Sequence, residues 1–517
     1  MRILYSFFII IIIVFLSSCR KDFGTIISSG QLEFSVDTVL LNRVFDDISS
    51  STQSFKVYNR SDDAISIPSI ALGRGDNSFY RLNVDGISGK SFQDIEILAN
   101  DSIFVFVEAT VDFSQVADTD FFYRDSVVFH SAANEQDVKL EALVLDVNLI
   151  RPDRAQQSDG SFIYEAIILG ENSEGEAIGV RGAMLDGNTT FTNEKPYLIY
   201  GYVGVPENTT LTINAGATLY FHENSGIIVE KNASLKVEGE FENEVLFEDD
   251  RLEPEFEDIA GQWGLIWLRE GSKNNSINYA TIKNNAIGVL VDDIGSTAIT
   301  LTIKNTQIYN TSNYGILGRD AHILGENLVI AKSAQATLAC TEGGSYSFKH
   351  CTFANYWTSG FRKLPSVLVN NFVAYRDENN DEIIELHNLT EASFTNCIID
   401  GNQNLEFVLD KVEGATFNFN VKNCMLKFNT DNTEILNNPL FDFKNTSIYQ
   451  NIVLNGKTHF KDTKENELII GQDSEAINKA DANISQQVPF DLLNISRTAS
   501  PDIGAYQHIT FEDEEEN

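Results

Sequence analysis

The 517-residue sequence predicts an all-β protein in which an N-terminal β-sandwich is followed by a parallel β-helix solenoid. Three observations predict it. Residues 32–147 hold eight short segments of alternating apolar and polar residues and no helical period. Residues 279–428 repeat one six-residue pattern six times. The composition, Asn-rich with 35 Phe and only 3 Met, favours strands and turns over helix.

Asp and Glu number 75 against 37 Lys and Arg, a net charge of −38. A surface that acidic repels phosphate backbones, which excludes nucleic acid as a partner. At 43% hydrophobic residues the chain is too apolar for a disordered acidic protein. At roughly 150 residues per domain, its length allows two to four folding units.

At the N-terminus, Arg2 precedes an apolar run from Ile3 to Leu16 that is too short to span a bilayer comfortably and ends in Leu16-Ser17-Ser18-Cys19. Residues 1–18 therefore read as a signal peptide with a lipobox, and Cys19 as the lipid acceptor that becomes the acylated N-terminus. Two or three acyl chains, at ~0.8 kcal/mol per buried CH₂, hold a soluble domain firmly on a membrane. The membrane, reached through this anchor, is thus an expected partner. The other cysteines, Cys340, Cys351, Cys397 and Cys424, are too few in so long a chain for a disulfide scaffold.

After a tether over 19–30, strands are expected near 32–41, 52–58, 64–72, 79–84, 92–98, 102–111, 122–129 and 135–147, forming an antiparallel sandwich of immunoglobulin-like type over 31–148. It lacks the Cys…Trp…Cys core of antibody domains. Residues 149–195, polar and Gly-rich, read as a connector and N-terminal cap. The solenoid follows over 196–460. Its aligned segments are Tyr279 to Asn284, Asn305 to Asn310, Asn327 to Lys332, His350 to Asn355, Asn396 to Gly401 and Asn423 to Phe428, with the apolar anchor at Ile282, Ile308, Ile330, Phe353, Ile399 and Leu426. The steps are 26, 22, 23, 46 and 27, and the step of 46 reads as two units of 23. Ala280, Thr306, Leu328, Cys351, Cys397 and Cys424 share one column and are expected to point inward. A C-terminal coil and cap are expected over 461–508, because an open solenoid end exposes unpaired strand edges. An acidic tail closes the chain over 509–517.

Several segments resemble the right-handed parallel β-helix lipoproteins of Gram-negative cell surfaces, within the broad pectin-lyase-like fold. They are Lys195 to Gly201, Ile213 to Thr218, Gly261 to Leu268, Ser474 to Asn478 and Pro501 to Tyr506. The resemblance covers roughly residues 30 to 508, and it implies an architecture without implying a reaction. The chain departs from the pattern at Gln507, where other members commonly carry Glu. Arg20-Lys21-Asp22 is similar to the short charged signals that send some such lipoproteins to the outer leaflet, which implies display on the bacterial outer membrane.

Pectate lyases of this fold hold Ca²⁺ with carboxylates on one sheet face and use Arg or Lys as base. The acid-rich loops here are 248–258 and 377–382. Asp377, Asn379 and Asp381 offer oxygen ligands at calcium-loop spacing, but Glu382 stands where such a loop needs Gly and Asn388 where it needs a bidentate Glu. These three residues are the calcium candidates, set against solvated loops, and no other cofactor is expected. The doublets Asp249-Asp250 and Asp292-Asp293 read as turn residues, since neighbours on a strand point to opposite faces. Lys283, Lys304 and Lys332 are scattered through the repeats and make no basic cluster. The seven histidines show no zinc spacing, and no nucleophile elbow or phosphate loop occurs. Trp263, Trp267 and Trp357 are candidate stacking platforms for sugar rings, set against packing at a coil corner or under the 249–262 loop. The expected function is a non-catalytic surface scaffold that binds or displays glycans. A polysaccharide lyase or hydrolase, and a structural part of an envelope assembly, stand as alternatives.

Overall fold

A computed structural model describes residues 24–116, 121–131, 134–293, 298–377 and 379–511; the expected signal peptide over 1–18, Cys19 and residues 512–517 lie outside the described residues. The chain divides into two compact units, the second starting at Val147.

In the first unit, strands Thr38–Phe45, Ile65–Leu72, Ser91–Ile97, Phe122–His130 and Glu135–Leu145 form one sheet with the short Ile26–Ile27, and Gln53–Tyr58, Tyr80–Val84 and Ser102–Ala109 form the centre of another. Period-2 alternation decides which side chains face in. Along Ser102–Ala109, Ile103, Val105, Val107 and Ala109 are buried while Phe104 and Phe106 are exposed. The two inner faces share one core that includes Phe55, Tyr80, Ile70, Val127 and Leu140. The sandwich is not wholly antiparallel as expected. Thr38–Phe45 runs parallel to Glu135–Leu145, from Thr38 beside Lys139 to Phe45 beside Leu145. Nearly the whole unit separates these two strands in sequence, so no hairpin forces them antiparallel.

The second unit is a parallel solenoid with three faces. One coil is typical: Thr210–Asn214, Thr218–Phe221 and Gly226–Val229 each pair in parallel with their equivalents one turn later, Ser234–Glu238, Val245–Asp249 and Trp263–Leu268. The anchors stack as the repeat predicts, Ile282 beside Ile308, Ile308 beside Ile330, Ile330 beside Phe353, Phe353 beside Ile399 and Ile399 beside Leu426. The inward column is at most 1% exposed at all six positions, and one continuous core runs from Phe191 to Tyr449.

The coils turn through left-handed backbone at Tyr279, Asn305, Asn327, His350, Asn396 and Asn423, with φ between 45° and 58°. Asn tolerates that conformation better than most residues with a Cβ, and its amide also links coils. Asn305 donates to Asn278 Oδ1 at 2.9 Å, Asn327 to Asn305 Oδ1 at 2.8 Å, and Asn396 to His350 Nε2 at 2.9 Å.

Three details correct the expected organisation. The 46-residue step is a single coil, since Phe353 and Ile399 are direct partners. Its extra length is the 356–366 loop and a hairpin of Phe372–Arg376 with Glu382–Leu386, and its match to two coil lengths is coincidence. Parallel pairing also starts before 196: Asn148–Ile150 pairs with Tyr197–Ile199 and Ala177–Met184 with Tyr202–Val205, the latter preceded by the hairpin strand Ala166–Glu171. Finally, the segment after 457 lies along the flank of the coils. Leu468, Ala505 and Tyr506 cover Val329, Ala331 and Ala354, and Ile470, Ala476 and Ile503 cover Ile398 and Met425. The buried Arg497 fastens it, donating to Asn327 Oδ1 at 2.7 Å and to the Ala505 carbonyl at 2.7 Å. Phe441 and Phe443 instead pack on Phe428 beside the last coils, with ring centroids 5.0 and 4.9 Å away.

Candidate functional site: an arginine and tyrosine cleft

A cleft of the solenoid unit lies where its N-terminal hairpins meet its first corners. Arg151 follows the strand Asn148–Ile150. Arg154 opens the strand Arg154–Gln156, directly opposite Tyr164 on Phe162–Tyr164. Arg181 lies on Ala177–Met184, opposite Ala166. The facing wall is built from Tyr200 and Gly201, at the corner after Tyr197–Ile199, and from His222 and Asn224, one turn later. Pro152 and Gly201 are buried at its base. Gly201 has φ +75°, and a Cβ there would meet the Arg181 carbonyl at 2.8 Å, so the close approach of wall and hairpin requires glycine.

The cleft encloses about 820 Å³, within the size range of ligand sites. Two of its three arginines are held by ring stacking. The Arg181 guanidinium lies 3.6 Å from the Tyr164 ring centroid, and that of Arg154 lies 4.6 Å from Phe162. Opposite them, the Tyr200 and His222 rings lie tilted by 34° with centroids 4.2 Å apart, and His222 Nδ1 meets Asp250 Oδ2 at 2.7 Å. That hydrogen bond holds the His222 imidazole above its usual pKa. Burial and the Asp250 carboxylate push the Tyr200 phenol up to about 12, so it stays a neutral donor. The hairpin itself is tied to a coil by Arg269, which donates to the Leu169 carbonyl at 2.7 Å and to Glu230 Oε1 at 2.7 Å.

No known protein family and no curated protein matches the chain. Among solved structures, the catalytic domain of a GH87 alpha-1,3-glucanase in complex with tetrasaccharides aligns over 72% of this chain and 82% of its own, at 10% identity and a TM-score of 0.18. So low a score carries no functional meaning, and the cleft is read from its own residues.

The residues singled out in the sequence lie elsewhere. Trp263 is 1% exposed, stacks on Phe221 at 4.2 Å in the interior and donates to the Lys283 carbonyl; it is a core residue and offers no face to a sugar. Trp267 is half-buried on the outer side of the same strand, with its indole N–H on Asp292 Oδ2 at 2.8 Å. Trp357 is half-buried in the 356–366 loop, and its carbonyl accepts from Asn402. The three make no common strip. Asp377 Oδ1 accepts the backbone N–H groups of Asn379 and Asp381, both at 2.9 Å, so the first calcium candidate caps its own hairpin turn. Among the described residues no group of three or more His, Cys, Asp or Glu is placed to hold a metal ion.

Each acidic doublet stands where a strand ends, at Asp249 and at Asp292, and its carboxylates are partnered. Asp292 is clasped by Arg319, with both contacts at 2.6 Å. Asp249 is 2% exposed, accepts from Asn284 Nδ2 at 2.8 Å, and has its carboxyl pushed up to about 6 by burial. Its neighbour Glu248 pairs with Lys283 at 3.0 Å. The cleft was not foreseen because residues 151–195 show no strong periodicity. Three arginines in a stretch of 31 residues of so acidic a chain are the one signal that pointed to it.

Proposed function

We propose that this chain is an outer-membrane lipoprotein, anchored through Cys19 and displayed at the cell surface, that binds glycans without cutting them. In this reading the sandwich serves as an immunoglobulin-like spacer, and the solenoid carries the binding site. The observation that supports it is the cleft, which combines ring faces from Tyr164, Tyr200 and His222 with several side-chain donors on a rigid frame. Sugar rings stack their apolar faces on aromatic planes while their hydroxyls take hydrogen bonds at the rim. No helix among the described residues is long and apolar enough to cross a membrane, and the proposed attachment requires none. A glycan-array screen of the full-length protein in detergent tests the reading. Binding to a defined set of saccharides, lost in Tyr164→Ala and Tyr200→Ala variants of unchanged thermal stability, is expected; an empty array argues against it.

One observation favours a second reading, a polysaccharide lyase or hydrolase. Asp249 is a buried carboxyl with an elevated pKa beside the Glu248 and Lys283 pair, the setting that suits a general acid. Release of shorter saccharides by the protein, abolished in Asp249→Asn, would move that reading to first place.

A further inference from the structure

The charge of the cleft runs against the charge of the chain. Acids outnumber bases by 75 to 37, and several cations elsewhere on the solenoid are paired: Lys283 with Glu248, Arg269 with Glu230, Lys304 with Glu326, Arg319 with Asp292, Arg362 with Glu406. Arg151, Arg154 and Arg181 are exposed and make no ion pair among the described residues, although Asp153 and Glu223 line the same cleft. Three like charges on one cleft repel one another, and an anionic ligand relieves that repulsion. Stacking on Tyr164 and Phe162 fixes two guanidinium planes while leaving their N–H edges free, so little side-chain entropy is lost when a ligand binds.

From these observations, and building on the saccharide-binding reading above, we infer that the cleft takes a saccharide bearing a tetrahedral oxyanion ester, a sulfate or a phosphate. A carboxylate presents two oxygens in one plane and is satisfied by one guanidinium fork. Three forks, two on strands of different hairpins and one on the connector at Arg151, offer more donors than that. A sulfate or phosphate ester presents three terminal oxygens on three sides, and phosphate carries close to two charges at neutral pH. The rings of Tyr200 and His222 supply the apolar face for the sugar that carries the ester.

Calorimetric titration of the full-length protein in detergent at low salt tests the inference. The probes are a sulfated galacto-oligosaccharide, a phosphorylated oligosaccharide, their neutral counterparts, trigalacturonate and inorganic sulfate. At least one ester is expected to bind about tenfold or more tightly than its neutral counterpart and than trigalacturonate, to weaken as salt rises, and to lose about tenfold in Arg154→Ala/Arg181→Ala. Which ester binds tells sulfate from phosphate. Both arginines are exposed and make no ion pair among the described residues, and ring contacts of exposed cations contribute little, so that variant should stay folded with a small drop in melting temperature. Equal binding of the neutral sugar, or of trigalacturonate, overturns the ester inference and leaves the saccharide reading standing. Inorganic sulfate binding as tightly as the esters, or no saccharide binding at all, overturns both.

Discussion

Arg362 and Glu406 form an ion pair sealed inside the solenoid, with Nη1 2.7 Å from Oε2 and Nη2 2.5 Å from Oε1, and the two residues are 4% and 0% exposed. Glu406 also accepts from the backbone N–H groups of Ser366 and Gln403, each at 2.8 Å. The pair therefore ties the 356–366 loop to the next coil. Such a pair adds little net stability over apolar residues of equal volume, but half of it left behind is costly. Glu406→Ala should lower the unfolding free energy by about 3–5 kcal/mol, and Arg362→Met/Glu406→Leu by clearly less. Urea midpoints of the three proteins check this, and equal losses for both variants would show that the charge is not the cause.

Cys351, Cys397 and Cys424 stack in successive coils as free thiols, each 0% exposed, and the Cys397 N–H donates to Cys424 Sγ at 3.3 Å. Burial pushes the Cys351 and Cys424 thiols up. All three should resist alkylation in the native protein and react at once in denaturant. Cys397→Asp should cost several kcal/mol, because it buries an unpaired carboxylate, whereas Cys397→Ala should cost about 1 kcal/mol. Rapid native labelling would contradict the observed register.

Asp249 gives a pH dependence of known sign. Its folded pKa, about 6, lies above an ordinary carboxylate value of roughly 3.9, so the folded state holds the proton more tightly. Stability from this group is complete below about pH 4 and is lost as pH rises towards 6. Asp249→Asn should therefore gain stability relative to the parent across that window, by up to about 3 kcal/mol. Paired thermal melts at pH 4, 5, 6 and 7 read the gain directly, and a constant difference would mean that Asp249 titrates normally.

The anchor is tested at Cys19. Cys19→Ser should accumulate as unprocessed precursor and lose labelling by a fatty-acid analogue. Labelling that persists in the variant would reject the lipoprotein reading.

The coil register was legible because parallel stacking places equivalent residues side by side: one apolar position recurring from Ile282 to Leu426 is enough to set it. The same logic misread the step from Phe353 to Ile399, since spacing alone cannot tell an inserted hairpin from a missed coil. The flank after residue 457 carries no period, because its apolar residues meet the outer face of several coils at once. Trp263 looked like a ligand platform because period-2 alternation alone does not say which side is the interior. The cleft stayed hidden for a different reason. Arg151 comes from the connector after Asn148–Ile150 and Arg154 and Arg181 from two different hairpins, while Tyr200 and His222 come from corners of the first two coils, and only the winding of the chain brings them together.

In the proposed function the protein holds a glycan and leaves it whole. The most direct test incubates the full-length protein, supplied with Ca²⁺, with pectate, alginate and glycosaminoglycans and with each saccharide it captures on the array, following unsaturated uronate by absorbance and chain length by mass spectrometry. A flat absorbance is expected, with captured saccharides recovered at their original length. A steady rise in absorbance, or shortened chains, lost in Asp249→Asn or in an alanine variant of Asp377 and Asp381, would contradict it and make the protein an enzyme.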